Sequence, residues 1–119
     1  MTGLSILLPW PPSTNDLWRA VKRRNIMSQR YREWVAEAEH ALQLQPHHAI
    51  AGPFKIELQL CPPTNRVYDP DNFVKAVMDF LVGSNLVEGD SNRYVKQLTV
   101  TPSRGFNGVW AHIEPVEEV

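Results

Sequence analysis

Prolines mark the breaks between the regular elements of this chain. Ten of its 119 residues are proline, which is many for this length, and each proline fixes one backbone angle and removes a hydrogen-bond donor. The densest group, Pro9-Trp10-Pro11-Pro12, excludes a helix or a strand directly after the N-terminal apolar segment. The length of the chain suits one modest core, and we expect a single domain over residues 1–119.

Between the prolines, hydrophobic residues recur with two different periods. Residues 54–60 alternate strictly between apolar and polar side chains, which predicts a half-buried strand. Residues 31–42 carry apolar side chains at helical spacing, and Ser28 before them is a good N-cap. The predicted strands cover residues 4–8, 54–60, 94–101 and 109–114, and the predicted helices cover residues 28–45 and 70–82. The order β-α-β-α-β-β indicates an α+β fold, with two main helices packed on a small mixed or antiparallel sheet.

The basic residues are concentrated in one stretch, although the whole chain has a formal net charge of −1. Residues 19–32 hold six of the twelve lysines and arginines and no acidic residue. We predict that residues 18–25 form an irregular basic loop. Such a stretch is either a solvated surface or an arm that contacts phosphates. Its basic residues are Arg19, Lys22, Arg23, Arg24, Arg30 and Arg32.

Cysteine content and hydropathy indicate where the chain works. Cys61 is the only cysteine, so no internal disulfide can form, and a reducing compartment fits. The N-terminal apolar run is too short for a signal peptide and lacks a basic start. No segment is long enough to cross a membrane, so we expect a soluble cytoplasmic protein with no membrane partner.

Three aspartates and one lysine are the best indication of chemistry. Asp69 and Asp71 flank Pro70, Lys75 follows one helical turn later, and Asp90 lies in a turn further along. Carboxylates at such density repel one another unless a cation lies among them. Oxygen ligands without a nearby cysteine or histidine favour Mg²⁺, with Mn²⁺ as a substitute, over zinc. The hypothesis requires the chain to bring Asp90 back towards the start of the second helix.

Each of these residues also has an ordinary structural explanation. Pro70 fits the first helical position, which makes Asp69 the predicted N-cap. Asp90 follows a glycine and suits a turn, and Asp71 with Lys75 could form a surface ion pair. Together, however, they suit phosphodiester hydrolysis, in which carboxylates hold a metal ion and a lysine stabilises developing negative charge. The amide of Asn72 could orient a ligand or a water molecule.

Two sequence blocks resemble the RusA family of Holliday-junction resolvases, small endonucleases of bacteria and their phages. The first is Leu8-Pro9-Trp10-Pro11-Pro12-Ser13 with Asn15 just after it. The second runs from Asp69 through Lys75 to Ala76 and continues with Asp79, Leu81 and Asp90. The resemblance spans nearly the whole chain. One departure is that the segment before Asp69, Asn65-Arg66-Val67-Tyr68, has a single arginine, where family members often carry a basic run.

The resemblance implies an α+β homodimer that cuts four-way DNA junctions with Mg²⁺ or Mn²⁺. By position, it implies that Asp69, Asp71 and Asp90 are metal-binding catalytic acids and that Lys75 supports cleavage. A two-fold pair of active sites suits a junction that needs two matched nicks. We also expect DNA contacts from residues outside the acidic group. These are Arg19, Lys22, Arg23, Arg24, Asn15 and Asn72.

Two other functions remain open from the residues. The chain could bind branched DNA without cutting it, in which case the acids are only caps and turn residues. It could also be a metal-dependent hydrolase of small phosphate compounds. The nuclease hypothesis differs from the first alternative in requiring the side chain of Asp90 to approach those of Asp69 and Asp71.

Overall fold

Two helices and two separate β-sheets form the computed structural model, which describes residues 2–22 and 24–117. In chain order the strands and α-helices are β1 (Leu4–Leu8), β2 (Trp18–Val21), β3 (Arg24–Met27), α1 (Gln29–Gln43), β4 (Phe54–Cys61), α2 (Lys75–Gly83), β5 (Val95–Pro102) and β6 (Gly108–Pro115). Two short 3₁₀ turns, Thr14–Asp16 and Pro70–Phe73, lie in the connections. The α+β class expected from the sequence is confirmed.

The main sheet has four strands in the order β1-β6-β4-β5. Strand β4 pairs antiparallel with β6 and parallel with β5, so the sheet is mixed. The alternation seen in the sequence is confirmed here, because Phe54, Ile56, Leu58 and Leu60 are all buried. These side chains belong to one hydrophobic core that also contains residues from both helices. Since β4 and β5 are parallel, α2 lies on the connection between them.

Helix α1 begins and packs as its sequence predicts. The Ser28 side chain accepts a hydrogen bond from the backbone N–H of Tyr31 at 3.0 Å, so Ser28 is the N-cap. The buried face of the helix contains Tyr31, Trp34, Ala38 and Leu42. The indole Nε1–H of Trp34 donates to the carbonyl of Pro9 at 2.9 Å. This bond fixes the proline-rich N-terminal segment against the helix.

The second helix starts later than predicted. Residues 70–73 form a 3₁₀ turn, closed by a bond from the Asn72 N–H to the Asp69 carbonyl at 3.0 Å, and α2 begins only at Lys75. A tightened 3₁₀ turn at a helix start is common because the first amides have no helical partner. Asp69 is the residue before this turn, but its side chain makes no capping hydrogen bond. Asp69 thus occupies the predicted N-cap position with Pro70 after it, but it caps the 3₁₀ turn without a side-chain hydrogen bond.

The stretch predicted as an irregular basic loop is a β-hairpin. Strands β2 and β3 pair antiparallel, with Arg19 opposite Ile26 and Val21 opposite Arg24. The Ser28 N–H donates to the Leu17 carbonyl at 2.9 Å and ties the hairpin to the start of α1. Leu17 is fully buried at the hairpin base. Paired backbone groups thus replace the irregular loop, because residues such as Val21 and Ile26 favour a strand on either side of the polar turn.

Neither described helix is both long and apolar enough to cross a membrane.

Candidate active site

The start of α2 and strand β5 enclose an open cavity of about 600 Å³. Asp71, Lys75 and Asp90 line this cavity together. The rest of the lining is mostly apolar and consists of Pro70, Val74, Met78, Val95, Leu98 and Val100. The structure therefore brings Asp90, from a distant turn, to the same space as the acidic block at the helix start. We call this space the acidic cavity.

A short turn before β5 places Asp90 at the cavity. The N–H groups of Tyr94 and Val95 both donate to the Ser91 carbonyl, at 3.0 and 2.9 Å. The Tyr94 carbonyl in turn accepts from the Phe54 N–H at 2.8 Å. The Tyr94 ring also packs so closely on Gly89 that a Cβ at that position would lie 2.8 Å from a ring carbon. The turn that carries Asp90 is thereby fixed to the edge of the sheet.

Lys75 is the charged centre of the cavity. Its Nζ lies 3.0 Å from a carboxylate oxygen of Asp79 and 4.0 Å from one of Asp90. The hydrogen bond and charge of Asp79 raise the Lys75 pKa above its ordinary value; burial opposes this rise, and the charge of Asp90 makes the smallest contribution to it. Lys75 is therefore a cation at neutral pH. The pairing with Asp79 was missed from the sequence, although the four-residue spacing on α2 is a recognisable signal.

The carboxylates of Asp69 and Asp71 have no hydrogen-bond or ion-pair partner among the residues that the structure describes. Both residues are exposed. Free carboxylate oxygens are the ligand type that Mg²⁺ prefers, and Mg²⁺ keeps several waters, so few protein ligands suffice. The donor chemistry of Asp71 and Asp90 thus fits a hard divalent cation.

Asp69 is placed differently from the other two acids. It is not part of the lining of the acidic cavity. Within residues 2–22 and 24–117, no three acidic, histidine or cysteine side chains form a group that could hold a metal ion. The structure therefore brings together Asp71, Lys75 and Asp90, and the metal-binding roles of all three aspartates stay predictions.

The N-terminal signature packs directly on the acidic block. The Trp10 ring lies 5.7 Å from Tyr68 and 4.7 Å from Phe73, centroid to centroid, and these two rings are 5.9 Å apart. The Thr14 hydroxyl donates to the Asn72 carbonyl at 3.0 Å. The turns that contain Asn15 and Asn72 are thus neighbours. The two blocks that are separate in sequence form one structural unit around the acids.

The basic hairpin presents its charges to solvent. Arg19, Lys22 and Arg24 are exposed, and none of them is in an ion pair among the described residues. Arg23, predicted as a fourth DNA contact, lies outside the described residues. Trp18 at the hairpin start is 49% exposed and makes an edge contact with Tyr31, with centroids 6.0 Å apart. A charged hairpin with an exposed aromatic ring is suited to contact a nucleic acid.

The sequence of this chain is similar to those of known endonucleases. The sequence model of the family described as Endodeoxyribonuclease RusA matches residues 9–112. A protein named crossover junction endodeoxyribonuclease RusA, from Escherichia coli strain K12, is 38% identical over 84 residues, or 68% of each chain. The protein of the same name from Enterobacteria phage 82 is 37% identical over 84 residues, which is again 68% of each chain. The residues that match the family model include every residue that lines the acidic cavity and the aromatic residues Trp10, Tyr68 and Phe73. This chain belongs to the RusA family of endodeoxyribonucleases.

Proposed function

We propose that this chain is a Mg²⁺-dependent endonuclease that resolves four-way DNA junctions by paired symmetric nicks. The main support is the convergence of Asp71, Lys75 and Asp90 on one cavity in a member of the RusA family. The similar proteins are named crossover junction endodeoxyribonucleases. The activity belongs to DNA recombination and repair, which takes place in the bacterial cytoplasm.

Asp69, Asp71 and Asp90 would hold the metal ion, and Mn²⁺ would substitute for Mg²⁺. When bound, a divalent ion neutralises phosphate charge and makes water a better nucleophile. Asp71 and Asp90 supply oxygen ligands from opposite elements of the cavity wall, the helix start and the turn before β5. Asp69 precedes the same 3₁₀ turn as Asp71 and completes the set.

Lys75 stabilises negative charge on the phosphate during cleavage. Its ammonium is held between Asp79 and Asp90, so its position does not depend on the bound DNA. A preorganised cation of this kind acts most strongly where charge develops in the transition state. Asp79 serves as a positioning residue, because its carboxylate lies 3.0 Å from the Lys75 ammonium and restrains it.

DNA is held by groups outside the cavity. Arg19, Lys22, Arg23 and Arg24 of the hairpin contact phosphates, which gives binding a strong dependence on salt. Asn15 and Asn72, on the two joined turns, add polar contacts close to the scissile phosphate. Phosphate contacts position the strand and do not read its sequence. Selectivity then comes from the branched shape of the substrate.

The active form is a homodimer. A four-way junction has approximate two-fold symmetry, and its resolution needs a nick in each of two matched strands. Two copies related by a two-fold axis present two equal cavities to those strands. Light scattering of the purified protein, alone and with junction DNA, tests this state. A single copy of the chain per junction would contradict it.

A second function is favoured by one observation, the lack of a three-ligand metal group among the described residues. A protein of this kind would bind branched DNA without cutting it. Incubation of the purified chain with a labelled four-way junction, with and without Mg²⁺, separates the two functions. The nuclease gives symmetric nicks only with the metal. The binder gives a retarded complex and no nicked product with any divalent metal.

A further inference from the structure

A second cleft lies at the carboxyl ends of β4 and β5. These strands are parallel neighbours, so the segments that follow them, residues 62–69 and 103–107, leave the sheet side by side. The cleft between them has a volume of about 560 Å³. Crevices outside the carboxyl ends of parallel strands are common ligand sites in sheet proteins. This one is separate from the acidic cavity, with which it shares no lining residue.

The second wall of this cleft, residues 103–107, is held in place by bonds to the end of β4. The Ser103 N–H donates to the Leu60 carbonyl at 2.7 Å, and the Cys61 thiol donates to the Phe106 carbonyl. Gly108, at the end of the turn, has a φ of +124° and packs on the Leu8 carbonyl so closely that no side chain fits. The wall that carries Arg104 is therefore fixed to the sheet.

The charge of the cleft has one sign. Arg66 comes from the first wall and Arg104 from the second, and no aspartate or glutamate belongs to the lining. Neither arginine is in an ion pair within the part of the chain that the structure describes. Hydrogen-bonding side chains surround them, namely those of Thr64, Asn65, Tyr68 and Ser103. Two unpaired guanidinium groups among polar side chains form a site for a phosphate anion.

The cleft is adjacent to the acidic block along the chain. Tyr68 lines it and immediately precedes Asp69 in the chain. Arg66 also lines an adjoining groove, whose charged residues are Arg30, Arg66 and Asp16. A DNA strand that reaches the acids can therefore place an adjacent phosphate against Arg66 and Arg104 in the cleft.

We propose that this cleft binds the phosphodiester backbone of DNA, with Arg104 and Arg66 as its cationic contacts. The proposal rests on the proposed function and adds to it the route by which one strand approaches the acids. Arg104 is the more informative residue, because it lies far from the acidic block in sequence. Its place opposite Arg66 becomes visible only in the fold.

The test measures junction affinity by fluorescence anisotropy in buffer with EDTA, over a range of salt concentrations. The variants are Arg104→Ala, Arg66→Ala and Arg104→Lys. Lys55→Ala is the control, because it removes one exposed positive charge near the other end of β4. Circular dichroism verifies that each variant is folded. We expect Arg104→Ala and Arg66→Ala each to weaken binding several-fold and to reduce the slope of log K against log salt by about 1. Arg104→Lys keeps the slope, and Lys55→Ala matches the wild type.

The possible results separate the role of the cleft from the nuclease function. If Arg104→Ala and Arg66→Ala match Lys55→Ala while the wild type cuts junctions, the cleft has no role and the proposed function stands. If inorganic phosphate or a mononucleotide competes as well as an oligonucleotide of equal phosphate concentration, the cleft is a small-anion site. If both variants weaken binding but the wild type never nicks DNA, the cleft is supported and the nuclease function fails. A wild-type chain that binds no DNA overturns both.

Discussion

Lys75 and Asp90 approach to 4.0 Å, between the ammonium nitrogen and a carboxylate oxygen, across the acidic cavity. One residue begins helix α2 and the other lies in the turn before β5. Their proximity joins two parts of the acidic motif that are distant in sequence. It also balances one negative charge of the cavity.

Replacement of Asp71 tests the acid at the helix start. Asp71→Asn keeps the shape of the side chain and removes its charge, so we expect junction cleavage to fall by at least about a hundredfold, in line with the loss of a key electrostatic contact. Junction binding in EDTA should persist. Glu39→Gln, an exposed change on α1, is the matched control and should cut like the wild type. Equal cleavage rates for Asp71→Asn and the control would exclude Asp71 from catalysis.

Metal binding can be measured without DNA. Titration of Mn²⁺ by isothermal calorimetry should show a site in the wild type that weakens strongly in Asp71→Asn and Asp90→Asn, because each variant loses a charged oxygen ligand. Asp69→Asn tests the acid that does not line the cavity. If it leaves Mn²⁺ affinity unchanged, Asp69 is not a ligand and the site uses two aspartates.

The sequence was sufficient to predict most regular elements, because their signals are local. The alternation in β4 and the Ser28 cap of α1 depend only on residues that are close in sequence, and both predictions are confirmed. The hairpin β2–β3 was missed because its strands have four residues each and their charged side chains resemble a loop. The start of α2 was misplaced because an aspartate before proline suits both an α-helix and a 3₁₀ turn.

The candidate site was predictable in part. The acids and Lys75 were found from their density and spacing, and the structure adds that Asp71, Lys75 and Asp90 share a cavity. The place of Asp69 outside that lining depends on the 3₁₀ turn, whose geometry no local pattern specifies. The cleft with Arg66 and Arg104 depends on the parallel pairing of β4 with β5. Strand pairing between segments that are distant in sequence cannot be predicted from one sequence alone.

The protonation of Lys75 gives a prediction about pH. Asp79 raises the Lys75 pKa above its ordinary value of 10.5, so Asp79→Asn should lower it. A raised pKa in the folded state means that the ion pair stabilises the protein below the unfolded value and that this is lost as pH rises through the folded value. The stabilisation by this ion pair is small because the Lys75 side chain is 53% exposed. Titration of the Lys75 Cε resonance by NMR in both proteins measures the shift, and equal midpoints would contradict the pairing.

The catalytic role of Lys75 has its own test. Lys75→Met keeps much of the side-chain volume and removes the charge, so cleavage at saturating protein should slow by about a hundredfold or more. Lys75→Arg keeps the charge and should retain more activity than Lys75→Met. If Lys75→Met cuts as fast as the wild type in single-turnover assays, the lysine has only a structural role.

Two glycines test the packing that builds the site. A Cβ at Gly108 would lie 2.1 Å from the Leu8 carbonyl oxygen, in a backbone conformation that other residues rarely adopt. We expect Gly108→Ala to destabilise the fold by at least about 2 kcal/mol in urea unfolding. Gly83, at the end of α2, has open space around it, so Gly83→Ala should be neutral or stabilise by up to about 1 kcal/mol. Equal urea midpoints for Gly108→Ala and Gly83→Ala would contradict the close packing of Gly108 on Leu8.

Reversal of charge on the hairpin tests the DNA-binding arm. Arg19→Glu and Lys22→Glu should each weaken junction binding, and each lost phosphate contact should reduce the salt slope by about 1. Because both side chains are exposed, the thermal unfolding of the variants should match that of the wild type. An unchanged salt slope would show that the hairpin does not contact DNA.

Cleavage of branched DNA by the acidic cavity with a divalent metal can be assayed in one experiment. An end-labelled four-way junction is incubated with the wild type, Asp71→Asn or Asp90→Asn, with Mg²⁺ or with EDTA. We expect paired nicks at symmetric positions from the wild type with Mg²⁺, and from no other combination. Nicking that persists in EDTA or in both variants would contradict this expectation, as would an intact junction under every condition.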